Sequence, residues 1–468
     1  MWIDHESVPT VPETYRTHPP TQLPPFWDPV IARMLRTSPQ SLVAAVERYG
    51  SPLNVIWPHA LHNNVGALRA VLAAHGVRSD IFYGAKVNKS QALVKAAVMA
   101  GAGIDVSSHY ELRDALRASA DPLRLCATGP AKTAAFHDQL LARGALVSVD
   151  SIEELDDLQA CLRQQPPGRR ARVLLRYRPS SARASRFGMD ADTVAQCLRS
   201  VAAATDRLAI EGFHFHLGGY AWEARAQAFR ELLPFVDAAA SMGLPLKMID
   251  IGGGLPVRYV DPEVCAEFLR SQRPEHYRNG TVPPSFYPYG GDLDAATWLD
   301  LFLNAPCVAD QTIAAWLRKR AITLALEPGR SLADQAGITV FRVTRSKALG
   351  NGHHVVFVEG SSFSACETWF ASEFLSDPAV VSAGALPAQG TPPTQAYIAG
   401  HSCLDEDVLT NRLLTFAALP RPGDLLVYAN TAGYQMDLLE NEFHRHPMPR
   451  RVVAQCNEAG HVCFSLDQ

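Results

Sequence analysis

Short runs of β-branched and aromatic residues alternate with amphipathic stretches through the middle of the chain. The apolar runs are "DIFYG" (80–84), "GIDVS" (103–107), "LRLCA" (123–127), "ALVSVD" (145–150), "RVLLRY" (172–177), "IEGFHFH" (210–216), "KMIDIGG" (247–253) and "ITLALE" (322–327). Between most of them the apolar positions recur at helical spacing, as in "SQALVKAAVMAG", "SHYELRDALRASA", "TAAFHDQLLARG" and "WEARAQAFRELLPFVDAAASMG". The pattern is that of an α/β protein. About eight strand–helix units in roughly 250 residues match a parallel (β/α)8 barrel, although a doubly wound sheet alternates in the same way. The expected fold is the barrel.

The rhythm changes on both sides of this region. After "EPGRSLADQAG" come "ITVFRVTRSKA", "HHVVFVEG", "QAYIAG" and "DLLVYANTAGY", strands without helices between them. They predict a second, mainly antiparallel β domain at the carboxyl end. Ahead of the barrel, a helix over "PQSLVAAVERYG" ends at Gly50, and the strand "PLNVIW" is expected to join the β domain. The expected organisation is a proline-rich extended arm (1–30), a helix and strand (31–57), a barrel (58–335) and a β domain (336–468). One interruption, "RPEHYRNGTVPPSFYPYGGD" at 273–292, falls between the seventh and eighth barrel strands. On a barrel such a loop lies on the active face, so it is either a substrate-covering segment or a surface insertion.

Composition narrows the function classes. The chain is 47% hydrophobic and 19% charged with a formal net charge of −4, so it has no basic footprint for nucleic acid or an anionic membrane. Its nine cysteines are scattered singly, with no CxxC pair, which argues against a zinc site or a disulfide framework and suits a reducing cytosol. Asp4 and Glu6 stand where a signal peptide would carry positive charge, and no run of about 18 apolar residues occurs. The expectation is a cytoplasmic protein acting on small molecules, without a metal.

Residues just past the strand ends of a barrel converge on one mouth. Four such stretches here carry unusual chemistry: Lys86 after "DIFYG", "HFHLGG" (214–219), "DIGGG" (250–254) and "EPGR" (327–330). Lys86 is either a strand-end lysine reaching water or a desolvated amine, its pKa lowered, held as a nucleophile for a carbonyl cofactor. Gly252, Gly253 and Gly254 make either a tight turn or a phosphate cradle, the latter favoured by Arg330, whose fork suits phosphate oxygens. Glu327, at the end of an apolar strand, needs a cation: Arg330 or a protonated ring nitrogen. His216 is a core histidine or a ring laid on a flat cofactor. An amine, a phosphate cradle, a carboxylate for a ring nitrogen and a flat imidazole together meet the requirements of pyridoxal 5'-phosphate.

Through "YGAKVNK", "GAGIDVSSHYEL", "SRFG", "GFHFHLGG", "DIGGGLPVRY", "EPGR", "GHSCLDEDVL" and "GDLLVYANTAGYQMD", spread over about residues 40–450, the chain resembles the fold-type III pyridoxal-phosphate decarboxylases that act on diaminopimelate, ornithine and arginine. The resemblance implies that Lys86 carries the cofactor as a Schiff base, that His216 stacks on its ring and that Glu327 meets its pyridinium nitrogen. It places phosphate on Arg330 and on Gly252, Gly253 and Gly254, and puts Asp105 and Arg176 in the cofactor pocket. Tyr434 matches the phosphate-binding tyrosine of the β domain. Cys403 matches the residue that reaches into the partner subunit's site and protonates the product, which implies an obligate homodimer. Alanine racemases of this fold type have an arginine in place of Glu327, so Glu327 favours decarboxylation over racemisation.

The chain departs from this pattern at several positions. Gly219 replaces a serine that bonds the phosphate, and backbone amides there are expected to take over that cofactor-binding role. Leu404 stands where ornithine and diaminopimelate enzymes keep an acidic residue for the distal ammonium, and Asp405 or Asp407 would need a loop shift to replace it. No counterpart of the arginine-proline motif that holds a distal carboxylate in diaminopimelate enzymes is present. The expected activity is therefore decarboxylation of a non-standard amino acid, whose distal part rests on 273–292 and on 366–370. Racemisation or epimerisation, or a catalytically silent regulatory role, are the alternatives; retention of Lys86 and Cys403 argues against the silent one.

Overall fold

In the computed structural model, residues 22–364, 376–384, 393–438, 443–456 and 462–467 are described. Residues 1–21 of the arm and the 366–370 segment expected at the substrate lie outside them. The first described helices are Pro29–Thr37 and Gln40–Tyr49, followed by β1 (Leu53–Ile56). Seven barrel strands follow: β2 (Ser79–Gly84), β3 (Gly103–Val106), β4 (Leu125–Ala127), β5 (Leu146–Val149), β6 (Ala171–Arg176), β7 (Leu208–His214) and β8 (Met248–Asp250). A small hairpin, β9 (Pro306–Val308) and β10 (Gln311–Thr312), precedes the eighth barrel strand, β11 (Thr323–Leu326). β11 pairs in parallel with both β2 and β8, closing the barrel and settling the choice between barrel and open sheet.

The barrel closes around apolar side chains, and its helices are started by short polar residues. Phe82, Cys126, Leu146, Leu174, Met248 and Ala325 pack together inside it, while a larger apolar core joins strands to the outer helices. Ser90 accepts the amide of Leu93, Ser108 that of Glu111, Thr133 that of Phe136 and Ser151 that of Glu154, each capping the helix after a strand. Between strand end and cap lies a short stretch free to face the mouth, and Ala85–Val87, a single 3-10 turn, carries Lys86 there.

The β domain comprises β12 (Gly337–Ala348), β13 (His354–Val358), β14 (Ala379–Val381), β15 (Thr394–Ala399), β16 (Val408–Phe416), β17 (Leu425–Ala429), β18 (Arg450–Cys456) and β19 (Val462–Leu466). As expected from "PLNVIW", β1 enters this sheet, antiparallel to β12 and parallel to β18. The Thr339 hydroxyl contacts Asn54 Oδ1 at 2.8 Å and the Thr431 hydroxyl at 2.9 Å, a buried polar link between β1, β12 and the turn after β17. Tyr434 N–H donates to the Val87 carbonyl at 2.9 Å and Asn88 Nδ2 to the Ala432 carbonyl at 2.9 Å, so that same turn is seated on the Lys86 segment. Of the arm, Phe26 N–H donates to Tyr259 O at 2.7 Å. No described helix is long and apolar enough to cross a membrane.

Candidate active site

Lys86 reaches across to Asp105 at the end of β3, with Nζ 3.2 Å from Oδ2. The other Asp105 oxygen accepts the Thr128 hydroxyl at 2.6 Å, so a carboxylate that is 1% exposed is doubly held. The expected effect of burial on the lysine is present but overruled. Attraction to Asp105 comes first, then burial in the opposite sense, then Glu327, and the net result holds the amine above its ordinary range. The free side chain is thus an ammonium paired with the Asp105 carboxylate.

His216, two residues past β7, leaves one face open to the mouth while its Nδ1 accepts the Gly253 amide at 3.1 Å. That bond assigns the ring hydrogen to Nε2. Burial, followed by the charges of Lys86, Arg225 and Arg176, pushes its pKa down to about 3, so it is a neutral imidazole. Its partner loop needs glycine for two reasons. Gly252 and Gly254 adopt φ of +68° and +79°, and a Cβ on Gly252 would come within 2.7 Å of His216 Nδ1, one on Gly253 within 2.5 Å of the Glu327 carbonyl. Beneath the loop Arg225, fully buried, donates to the Leu217 carbonyl at 2.6 Å and to the Gly253 carbonyl at 2.9 Å, with Trp298 against its guanidinium.

Glu327 is buried beside two other groups at strand ends. His214, Asp250 and Glu327 each bring an atom within 4.8 Å of the others, and Cys126 Sγ lies 3.9 Å from Glu327 Oε1. Burial, then Asp250, then Asp105 push the Glu327 carboxyl well above its usual range, and burial above all raises Asp250 to about 7. Two carboxyls this close and this dry oppose each other's ionisation. His214, held neutral by burial first, gives Nδ1 to a 2.7 Å contact with the Ser148 hydroxyl, while its Nε2 and Asp250 Oδ2 have no hydrogen-bond partner among the described residues.

Arg330 follows Glu327 by three residues and donates to the Gly433 carbonyl at 2.7 Å. The Tyr434 ring, in a backbone with φ of +77°, lies 4.9 Å from its guanidinium, and the Tyr287 ring lies 4.5 Å from it. Arg176 donates to Asp150 Oδ1 at 2.7 Å and faces the Phe187 ring. Gly219, at φ of +75°, places its carbonyl near Gly254. The fold therefore gathers Lys86, Asp105, His216, Gly252, Gly253, Gly254, Glu327, Arg330 and Tyr434 at one mouth, with Arg176 at its edge.

Cys403, Leu404 and Asp405 are elsewhere, on an exposed loop before β16. Among the described residues no hydrogen bond or ion pair joins them to the Lys86 group. The Cys403 amide donates to His444 Nε2 at 3.1 Å, and His401 and His446 stack with centroids 3.6 Å apart. Asp407 is 3% exposed, and its two oxygens accept the amides of Ser362 (2.7 Å) and Ser402 (3.0 Å). It braces the loop from inside, so reaching a substrate amine would require breaking both bonds.

Several of these residues carried no sequence signal. Arg225 sits in an ordinary amphipathic helix, and its carbonyl partners are 8 and 28 residues away. His214 was visible in "HFHLGG" but overshadowed by its neighbour. Tyr287 and the histidines around Cys403 are placed by tertiary contacts alone.

The pyridoxal binding domain of the pyridoxal-dependent decarboxylases matches residues 62–279. An uncharacterized protein of Sinorhizobium fredii, y4yA, is 55% identical over 429 residues, covering 92% of this chain and 93% of that one. The diaminopimelate decarboxylase of Neisseria meningitidis serogroup A is 25% identical over 430 residues, 88% of this chain and 91% of its own. The solved diaminopimelate decarboxylase of M. jannaschii superposes with a TM-score of 0.70 at 19% identity over 90% of each chain. The residues fit pyridoxal 5'-phosphate: a glycine loop whose Cβ atoms would collide, an arginine beside it, and an orphaned carboxyl oxygen and imidazole nitrogen beneath a raised carboxyl, suited to a cationic ring nitrogen. With its barrel, its matching pyridoxal-binding domain and its lysine at the mouth, the chain belongs, as a divergent member, to the pyridoxal-dependent decarboxylases, enzymes that use pyridoxal 5'-phosphate to remove carbon dioxide from amino acids.

Proposed function

We propose that the protein decarboxylates a non-standard amino acid whose distal group is not a free ammonium, as a homodimer in which Cys403 of one protomer completes the site of its partner. The observation that carries the substrate reading is the Cys403 loop. Leu404 is 45% exposed at its tip, Asp407 is turned inward, and Glu406 is tied to Arg278 at 2.8 Å. The nearby side chains are imidazoles, with His401 held below its ordinary pKa by burial first and then by His446, against the opposing charge of Asp407. Among the described residues of this loop, that leaves Asp405 as the carboxylate open to a distal ammonium.

When bound, the cofactor supplies a ring that accepts the electron pair left as carbon dioxide departs. The chain's own residues prepare for this. Lys86, held by Asp105 as an ammonium, is the amine that would carry the cofactor once it has lost a proton, Arg330 and the 252–254 loop would hold phosphate, and His216 would offer its neutral ring. Glu327 ionises beside the ring nitrogen and keeps it protonated. The carbon that lost the carboxylate then takes a proton from the Cys403 thiol.

An amino-acid panel scored for carbon dioxide release and product mass tests this reading. Racemised substrate without carbon dioxide would overturn the decarboxylase, and efficient turnover of ornithine, lysine or meso-diaminopimelate would overturn the substrate class. Loss of the partner of a buried charge costs about 3 to 5 kcal/mol, and the partial exposure of Leu404 reduces this. Leu404→Asp is therefore expected to raise kcat/KM for ornithine relative to the preferred substrate by about tenfold. Steady-state kinetics on both substrates would show it, and an unchanged ratio would count against a role for Leu404 in selection.

A further inference from the structure

The 273–292 segment lies mostly beyond the matched pyridoxal-binding domain, yet it meets both the Cys403 loop and the barrel mouth. Its first half runs along β16: Tyr277 bridges to Arg412, the Arg278 amide donates to the Asn411 carbonyl at 3.0 Å, and Arg278 Nε donates to Asn411 Oδ1 at 3.1 Å. Arg278 also holds Glu406, in the Cys403 loop. That ion pair alone would fix little, because Glu406 is 89% exposed. The backbone and amide bonds beside it do the anchoring.

The second half ends at the phosphate side of the mouth. Tyr287 presents its ring to the Arg330 guanidinium at 4.5 Å, and its hydroxyl meets the Tyr220 hydroxyl at 2.8 Å. Tyr220 directly follows Gly219, and its carbonyl accepts the Trp298 indole N–H at 2.6 Å, so the loop after β7 is closed against the segment. Tyr287 in turn stacks on Tyr289 (5.5 Å, 25°), which lies 5.6 Å from Tyr259 and whose carbonyl accepts the Tyr259 amide at 2.7 Å. A long arginine side chain has many rotamers to lose when it grips an anion. The Tyr287 and Tyr434 rings and the Gly433 carbonyl remove much of that freedom beforehand.

We propose that Tyr287 is a positioning residue for the phosphate-binding arginine, and that the 273–292 segment, anchored at Arg278, acts as a clamp on the cofactor's phosphate end. This rests on the reading in which Arg330 and the glycine loop hold phosphate. The test compares pyridoxal 5'-phosphate with pyridoxal, which lacks the phosphate, by equilibrium binding followed spectroscopically on the full-length protein. Wild type should prefer the phosphorylated form strongly. Tyr287→Ala should weaken pyridoxal 5'-phosphate by about tenfold, the scale on which cation–π contacts act, and leave pyridoxal unchanged. Tyr287→Phe, which keeps the ring and removes the hydroxyl that meets Tyr220, should restore most of the difference. Arg278→Gln should reproduce a smaller part of the loss, about twofold to threefold, with pyridoxal again unaffected. Equal weakening of both ligands, or an unchanged ratio in Tyr287→Ala, overturns the clamp while leaving the phosphate reading intact. A wild type that binds the two ligands equally removes the phosphate reading itself, and the clamp with it.

Discussion

Lys86→Ala is expected to yield a colourless protein that carries no covalently fixed cofactor after borohydride reduction, with decarboxylation lowered by about 10³-fold or more. The side chain it removes is, among the described residues, the amine that bonds Asp105 at the barrel mouth, 3.2 Å from its carboxylate, on a turn whose position is set from both sides. On one side, Ser90 caps the following helix; on the other, the Tyr434 amide holds the Val87 carbonyl. Neither restraint involves the lysine side chain, so the turn should persist in the variant. Asp105 keeps the Thr128 hydroxyl, and the lysine side chain is 44% exposed, so the loss of the ion pair should cost the fold little. Far-ultraviolet circular dichroism and the thermal midpoint would check that. Mass spectrometry of the borohydride-treated wild type should place the added pyridoxyl group on Lys86, and a fixed group on any other lysine would sink the assignment.

The barrel was legible because parallel strands buried on both faces read as short continuous apolar runs, and eight of them were separated by helical spacing. The mouth was legible for a related reason: a strand end must pass into a loop, and charged or glycine-rich residues there stand out against the apolar run behind them. Lys86, His216, Glu327 and Arg330 all sit within a few residues of such an end. What the sequence hid is set by long-range contacts. Whether Lys86 is lifted or lowered in pKa depends on Asp105, nineteen residues away, and attraction to it outweighs the desolvation that the local apolar setting suggested. Arg225 looks like a solvated helix residue until Leu217 and Gly253 turn their carbonyls to it. Tyr287 lies in a stretch with no periodicity, so only the folded chain shows it beside Arg330.

The carboxyl pair beneath the cofactor site links stability, pH and chemistry, and Glu327→Gln should separate them. In the folded chain Asp250 titrates near 7 and Glu327 well above the usual carboxyl range, whereas both belong near 4 in the unfolded chain. The folded state therefore binds more protons between pH about 4 and about 7, and its stability falls as pH rises through that window, by at most about 1.4 kcal/mol per pH unit for each unmatched proton. A cationic ring nitrogen beside Glu327 gives the ionised carboxyl a partner, so the cofactor-loaded enzyme should lose less stability over the same window than the cofactor-free protein. Glu327→Gln removes the titrating group and the charge partner together. It should flatten the pH dependence of the cofactor-free protein, retain the cofactor through Lys86 and Arg330, and slow decarboxylation. Removing the partner of a buried charge costs about 3 to 5 kcal/mol, which corresponds to a rate loss of roughly 10² or more if most of it appears in the transition state. Thermal midpoints from pH 4 to 8, with and without cofactor, and single-turnover carbon dioxide release check the two halves independently. A variant that decarboxylates at the wild-type single-turnover rate would show that Glu327 is not the group that keeps the ring nitrogen charged, whatever its effect on stability.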